Sequence, residues 1–148
     1  MTTSDSTPLT ATDRAVNSTV RWFADRGVNL AGAQTLTVTG RISGNPHRIP
    51  VNPLTVDGRR FLVAPRGVTD WVRNVRVDPR AELRRGRRAT PVVLTESTDL
   101  ALKTAVVEEY LSKWAWEVGR LLPAGLTADS SPQTLAEHLP VFEVQTPS

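Results

Sequence analysis

The segment Gly40-Arg41-Ile42-Ser43-Gly44-Asn45-Pro46-His47-Arg48 places three side chains able to carry positive charge around a turn rich in glycine and proline. Turn amides together with Arg41 and Arg48 can hold a phosphate. The same residues also read as a solvated hairpin with basic decoration. A second segment, Ala64-Pro65-Arg66-Gly67-Val68-Thr69-Asp70-Trp71-Val72-Arg73-Asn74, carries a strand into a loop and the loop into a helix N-terminus, where free amides favour anions. Trp71 and Asn74 stand three residues apart and share a helix face. A core tryptophan beside a solvated or capping asparagine would satisfy that spacing as well. No nucleophile–base pair stands out, and there is no G-x-S-x-G, no H-E-x-x-H and no Walker or dinucleotide glycine motif. The pattern suits a protein whose reactive atom belongs to a bound cofactor, with the chain supplying binding and orientation. No residue is assigned a catalytic role.

Charge supports an anionic ligand. The chain of 148 residues carries a net charge of +3, but the stretch from Arg41 to Arg88 holds 12 arginines, no lysine and only four acidic residues, a local +8 against −5 for the remainder. Arginine suits bidentate contacts with phosphate or carboxylate better than lysine does. Cysteine is absent, which excludes disulfides, thiolate-bound zinc, iron–sulfur clusters and thiol catalysis. With only His47 and His138, no metal site is expected. The first ten residues, MTTSDSTPLT, lack the basic and apolar regions of a secretory signal, and no apolar run reaches the length of a membrane span, which points to the cytoplasm.

The elements that must position these residues follow from periodicity. Residues 1–10 are expected to form a disordered tail and residues 11–148 a single domain opening with a helix from Thr12 to Gly27. Strands are expected at Gln34–Gly40, Arg48–Val56, Arg60–Ala64, Ala81–Arg85, Ala89–Thr95 and Val141–Val144. Pro50 and Pro53 confine the second of these to an edge or a bulge, and Asp57-Gly58 signals a hairpin. Thr69-Asp70 caps a short helix over Trp71–Val77. A long helix over Thr98–Leu122 breaks near Trp114-Ala115-Trp116, and Ser131–Leu139 forms a last helix with Pro132 in its first turn. The fold class is α+β: a mostly antiparallel barrel of six to seven strands with helices packed outside.

The ordered series Thr39-Gly40-Arg41-Ile42-Ser43-Gly44-Asn45-Pro46, then Leu62-Val63-Ala64-Pro65-Arg66-Gly67 with Thr69, Trp71-Val72-Arg73-Asn74 and Arg76, resembles the deazaflavin-dependent nitroreductase family, the split-barrel group of flavin and deazaflavin oxidoreductases. The resemblance continues through Leu83–Arg88, Tyr110–Arg120 and Pro140–Val144. It implies a split β-barrel like that of flavin-mononucleotide-binding proteins, and coenzyme F420 as cofactor. By the same resemblance, Arg41, Ser43, His47 and Arg48 hold the phosphate and the polyanionic tail. Ala64, Pro65 and Arg66 border the deazaflavin ring, and Trp71 and Asn74 close over it. The chain departs from the family at Ile42, where many members carry a basic residue whose tail contact Arg48 would replace. It departs again at His47, where many carry arginine, which makes that contact sensitive to pH. The substrate-facing tyrosines of some members have no clear counterpart, and Tyr110, Trp114 and Trp116 are the candidates.

The implied function is transfer of a hydride between F420 and an electron-poor small organic acceptor such as a quinone, enone or nitro compound. Flavin mononucleotide, with its shorter and less negative tail, fits less well. The alternative is a non-catalytic split-barrel module binding a flavin, haem-like or fatty ligand. Nucleic acid is not an expected partner, because aromatics make up only 5% of the chain and do not interleave with the arginines. The N-terminal segment mixes Asp13 and Asp25 with Arg14, Arg21 and Arg26, which gives little support for contact with a membrane surface. A homodimer paired through the sheets is the assembly to test.

Overall fold

The structure, a computed structural model, describes residues 34–118 and 121–147. The expected tail and N-terminal helix lie outside the described residues. The elements are β1 (Gln34–Thr39), β2 (Pro46–Val51), β3 (Leu54–Val56), β4 (Arg59–Val63), α1 (Asp70–Val77), β5 (Arg80–Arg85), β6 (Arg88–Glu96), α2 (Leu100–Val118), α3 (Pro132–His138) and β7 (Val141–Gln145). The seven strands form one sheet in the order β2-β1-β5-β6-β7-β4-β3, with every neighbouring pair antiparallel.

Chain connectivity forces this sheet to curl. In a flat sheet the outermost strands β2 and β3 would stand about 29 Å apart at ~4.8 Å per strand spacing. The steps from Val51 to Leu54 span at most about 11 Å. Alternating directions across the sheet make β2 and β3 run the same way, so they are two halves of one bent strand. That strand leaves β1 at Val51 and joins β4 at Leu54, closing the split barrel. The single strand expected over Arg48–Val56 therefore divides at Asn52-Pro53. Proline lacks the N–H a ladder needs, so the corner falls where pairing must lapse. On the far side, Asp57 and Gly58 take φ of 52° and 76°, the paired left-handed conformation of a tight hairpin turn joining β3 to β4.

Alternation along the strands builds two cores. Leu36 and Val38 of β1, Leu62 of β4, Leu83 of β5, Val92 and Leu94 of β6, and Phe142 and Val144 of β7 face the barrel interior, and α1 adds Val72 and Val75. Burying each such side chain stabilises the fold by about 1.5–3 kcal/mol. Phe61 and Val63 of β4 and Val141 of β7 point outward instead. There they pack with Leu54 of β3, Val106, Val107 and Tyr110 of α2 and Leu135 and Ala136 of α3. Trp114 has non-helical backbone angles (φ −133°, ψ 18°), the break expected in α2. Ser131 caps α3 by accepting from the Thr134 N–H, with Pro132 in the first turn. Thr69 sits at the cap position of α1 with extended backbone, but its side chain makes no capping bond. Its carbonyl instead accepts from the Arg73 N–H. Among the described residues, no helix is long and apolar enough to cross a membrane.

Candidate functional site

Beyond β1 the chain reverses through Gly40–Asn45. The Gly40 N–H donates to the Asn45 carbonyl at 2.8 Å and the Gly44 N–H to the Gly40 carbonyl at 2.9 Å. Ser43 Oγ accepts from the Asn45 N–H at 3.1 Å, so the serine shapes the turn it sits in. A Cβ at Gly40 would stand 2.6 Å from Nε2 and 2.7 Å from Cδ2 of His47, closer than real side chains approach. Glycine is what lets the imidazole lie against the turn. The register pairs Val38 with His47 and Thr37 with Arg48, so these two sequence neighbours aim at opposite faces of β2. His47 shares the row of Val38 and Ala81 on the barrel side. Arg48 is on the outer face with Thr37 and Glu82.

Helix α1 pins this turn in place. Its buried residues Val72 and Val75 fix it over the barrel, which carries Asn74 inward to 3% exposure. Among the described residues Asn74 is the sole buried polar side chain other than the tyrosine. Its Oδ1 accepts from the Arg41 main-chain N–H at 3.0 Å and from Arg41 Nη1 at 2.8 Å. The Arg41 guanidinium also reaches the Asp70 carbonyl at 3.4 Å and Asp70 Oδ1 at 3.5 Å. Trp71, one turn earlier on α1, packs a tilted face on Phe142 with centroids 5.5 Å apart, and is half-buried. The structure thus gathers Arg41, Ser43, His47, Trp71 and Asn74 at one end of the barrel. Arg73 and Asp70 join this group. The sequence offered one signal for them, an arginine and an aspartate three residues apart on the helix.

Beside this group, β4 delivers buried Ala64 into a turn closed by the Gly67 N–H donating to the Ala64 carbonyl at 3.1 Å. Arg66 projects from that turn, exposed. A Cβ at Gly67 would meet Pro123 Cγ at 3.3 Å, which brings the segment after α2 against the same turn. Tyr110 and Trp114 lie elsewhere: their rings pack 5.2 Å apart within the outer core, Tyr110 at 5% exposure. The side chain of Trp116 is outside the described residues.

The arginines divide into two sets. Arg59 forms a two-bond pair with Glu143 at 2.9 and 2.7 Å, Arg76 with Glu96 at 2.9 and 2.8 Å, and Arg80 with Asp78 at 3.0 Å. The Arg59 hydrogen bond holds the Glu143 carboxyl below the usual carboxylate range, and Arg80 does the same to Asp78. Arg84 stands 4.0 Å from Glu82. Arg48, Arg60, Arg66, Arg85, Arg87 and Arg88 have no acidic partner among the described residues. Much of the positive charge counted in the sequence is therefore used within the fold, and what is left for a ligand is more localised than the count implies.

The family model for F420H(2)-dependent quinone reductases matches residues 12–124. Among solved structures, an F420-H2-dependent reductase (FDR-A) is similar at 22% identity and a TM-score of 0.50, covering 77% of this chain and 94% of that one. A conserved hypothetical protein from Mycobacterium tuberculosis aligns at 14% identity and a TM-score of 0.57, over 95% of this chain and 82% of its own. A structure described as a domain-swapped dimer aligns at 20% identity and a TM-score of 0.51, over 92% and 100% of the two chains. These structural likenesses establish the split-barrel fold. Among curated proteins, no significant match is found.

Proposed function

Because this chain belongs to the F420H(2)-dependent quinone reductase family, it is an oxidoreductase that uses coenzyme F420, and we propose that it passes a hydride from the reduced cofactor to an electron-poor small organic acceptor of the quinone, enone or nitro class. The observation that carries the reading is the turn at Gly40–Asn45, with Arg41 anchored on Asn74 and the His47 ring lying against Gly40. The donor set fits a phosphate-bearing, polyanionic tail. Arg41 offers a fixed guanidinium, His47 a ring nitrogen, and Arg48 and Arg66 charges without an internal acid. Bound deazaflavin supplies the hydride at C5 of its ring.

The chain's own part is binding and orientation. Arg41, Ser43 and His47 hold the phosphate, and Arg48, on the outer face of the edge strand β2, meets the part of the tail that passes over that edge. The backbone of Ala64 and Pro65 and the side chain of Arg66 border the ring, and Trp71 and Asn74 close it from the helix side. The Arg66 N–H donates to the acceptor oxygen, where negative charge develops as the hydride arrives. Solvent returns the proton. The likeness to a structure described as a domain-swapped dimer supports a homodimer. Family membership favours turnover over a binding module.

Titration against intrinsic tryptophan fluorescence tests the reading, followed by turnover of reduced F420 with a soluble quinone. F420 binds at least about tenfold more tightly than flavin mononucleotide, a difference of about 1.4 kcal/mol. Equal affinities, or no F420-dependent reduction of any acceptor class, would overturn it.

A further inference from the structure

Asp70 Oδ1 stands 3.5 Å from Nη2 of Arg41 and 3.5 Å from Nη1 of Arg73, so one carboxylate oxygen is shared by two guanidinium groups. The separations are long. In the same molecule Arg59–Glu143 and Arg76–Glu96 close to 2.7–2.9 Å with both carboxylate oxygens engaged. Asp70 keeps a short side chain on the first turn of α1, with 83% of it exposed, and reaches neither arginine well. Arg41 is held independently of it, because Nη1 is fixed by Asn74 at 2.8 Å and Nη2 is thereby aimed at this point. The two arginine nitrogens lie no more than about 7 Å apart, since both sit 3.5 Å from one atom. A group with several anionic oxygens can meet both at the short distances of charge-assisted bonds, which a single carboxylate oxygen does not.

We propose that Arg73 is a second anion-binding arginine of the cofactor site, paired with Arg41, and that the Asp70 carboxylate occupies the place between them that a phosphate of the ligand takes. This rests on the F420 reading above and adds a residue and a competitor to it. Asp70 then sets the strength of the site. Its charge offsets one of two positive charges in the free protein, and binding must displace it.

The test uses the full chain as wild type, Asp70→Asn, Arg73→Gln and the double variant, with F420 and inorganic pyrophosphate as separate probes at low and high salt. Both positions are exposed, and circular dichroism verifies that the fold is unchanged. Asp70→Asn tightens binding of both probes by roughly threefold to tenfold at low salt, the effect of removing one like-signed competitor a few ångströms away, and the gain shrinks at high salt. Arg73→Gln weakens both, and more steeply when Asp70 is already asparagine. Unchanged or weaker binding by Asp70→Asn, or unchanged binding by Arg73→Gln, overturns the proposal. If wild type binds no F420, the cofactor reading fails and the pyrophosphate series alone decides the arginine pair. Failure of Asp70→Asn to bind either probe overturns the pair as well.

Discussion

Asn74 offers a perturbation in which stability and binding separate. Alanine at this position removes the acceptor for the Arg41 main-chain N–H at 3.0 Å and for Arg41 Nη1 at 2.8 Å. The first bond is of the neutral kind, about 0.5–1.5 kcal/mol, and the second is charge-assisted, about 1.5–3 kcal/mol. The Arg41 side chain is 26% exposed and keeps the Asp70 carbonyl at 3.4 Å, so water and that carbonyl recover part of the second term. A net loss of about 2–3 kcal/mol lowers the melting temperature of a domain this size by about 4–12 °C. It also frees the turn from the helix, so F420 affinity falls several-fold. Asn74→Asp has nearly the same shape and restores the acceptor, now with a full charge facing Arg41. Burial of the carboxylate costs part of that gain. The aspartate variant therefore melts above the alanine variant, while F420 affinity falls at least as far, because the charge of Arg41 is neutralised where the ligand needs it. Thermal denaturation and fluorescence titration on the same samples read both quantities. An aspartate variant that binds F420 as tightly as wild type, or an alanine variant that keeps both its melting temperature and its affinity, would refute the reasoning.

Gly40→Ala drives a Cβ to 2.6 Å from the His47 ring, so the ring must leave the turn and F420 affinity drops several-fold. Adding His47→Ala removes the crowded ring, so Gly40→Ala costs little further affinity in that background, and a double-mutant cycle on F420 binding is non-additive. Arg41→Ala costs about 1.5–3 kcal/mol of F420 affinity, while Arg84→Ala and Arg87→Ala cost little, since Arg84 pairs with Thr35 near the start of β1 and the turn follows its end; equal losses at all three in a titration series would mean that a diffuse charge field binds the tail. Glu143 has its folded pKa lowered by Arg59, so its contribution to stability is complete above the ordinary carboxylate value of about 4.3 and is lost as pH falls through the lower folded value. Urea unfolding of Glu143→Gln between pH 6 and pH 3 accordingly shows a shallower acid decline than wild type.

The strands were legible wherever one face is buried, because period two survives in Leu36 and Val38 of β1 and in Val92 and Leu94 of β6. The hairpin at Asp57-Gly58 was legible for a local reason, the left-handed backbone those residues tolerate. What local patterns do not carry is a change of partner. Arg48–Val56 reads as one strand and runs as one, yet its halves pair with opposite edges of the sheet, and only tertiary closure decides where it bends. The site shows the same division. Spacing placed Trp71 and Asn74 on one helix face. It held no record that Asn74 would be buried against Arg41, because that bond joins residues far apart in sequence. The arginine count likewise could not separate Arg59, Arg76 and Arg80, spent on internal acids, from Arg48 and Arg66, which are not.

Strand β7 lies between β6 and β4, although it is the last of the described elements in the chain. The hairpins β1–β2 and β3–β4 and the β5–β6 pair are all local and can form as the chain emerges. Until Val141–Gln145 is available, the four-stranded ribbon β2-β1-β5-β6 and the ribbon β4-β3 share no strand pairing and are linked by the chain alone, through the Asn52-Pro53 corner and through α1. Both then expose an unpaired edge, on β6 and on β4, and the interior side chains of one ribbon have nothing to close on. Synthesis therefore leaves this chain open until almost all of the described residues have been made, and barrel closure is a late, long-range step. Chaperone dependence and aggregation during expression should track the availability of β7 more closely than the strength of any single hairpin.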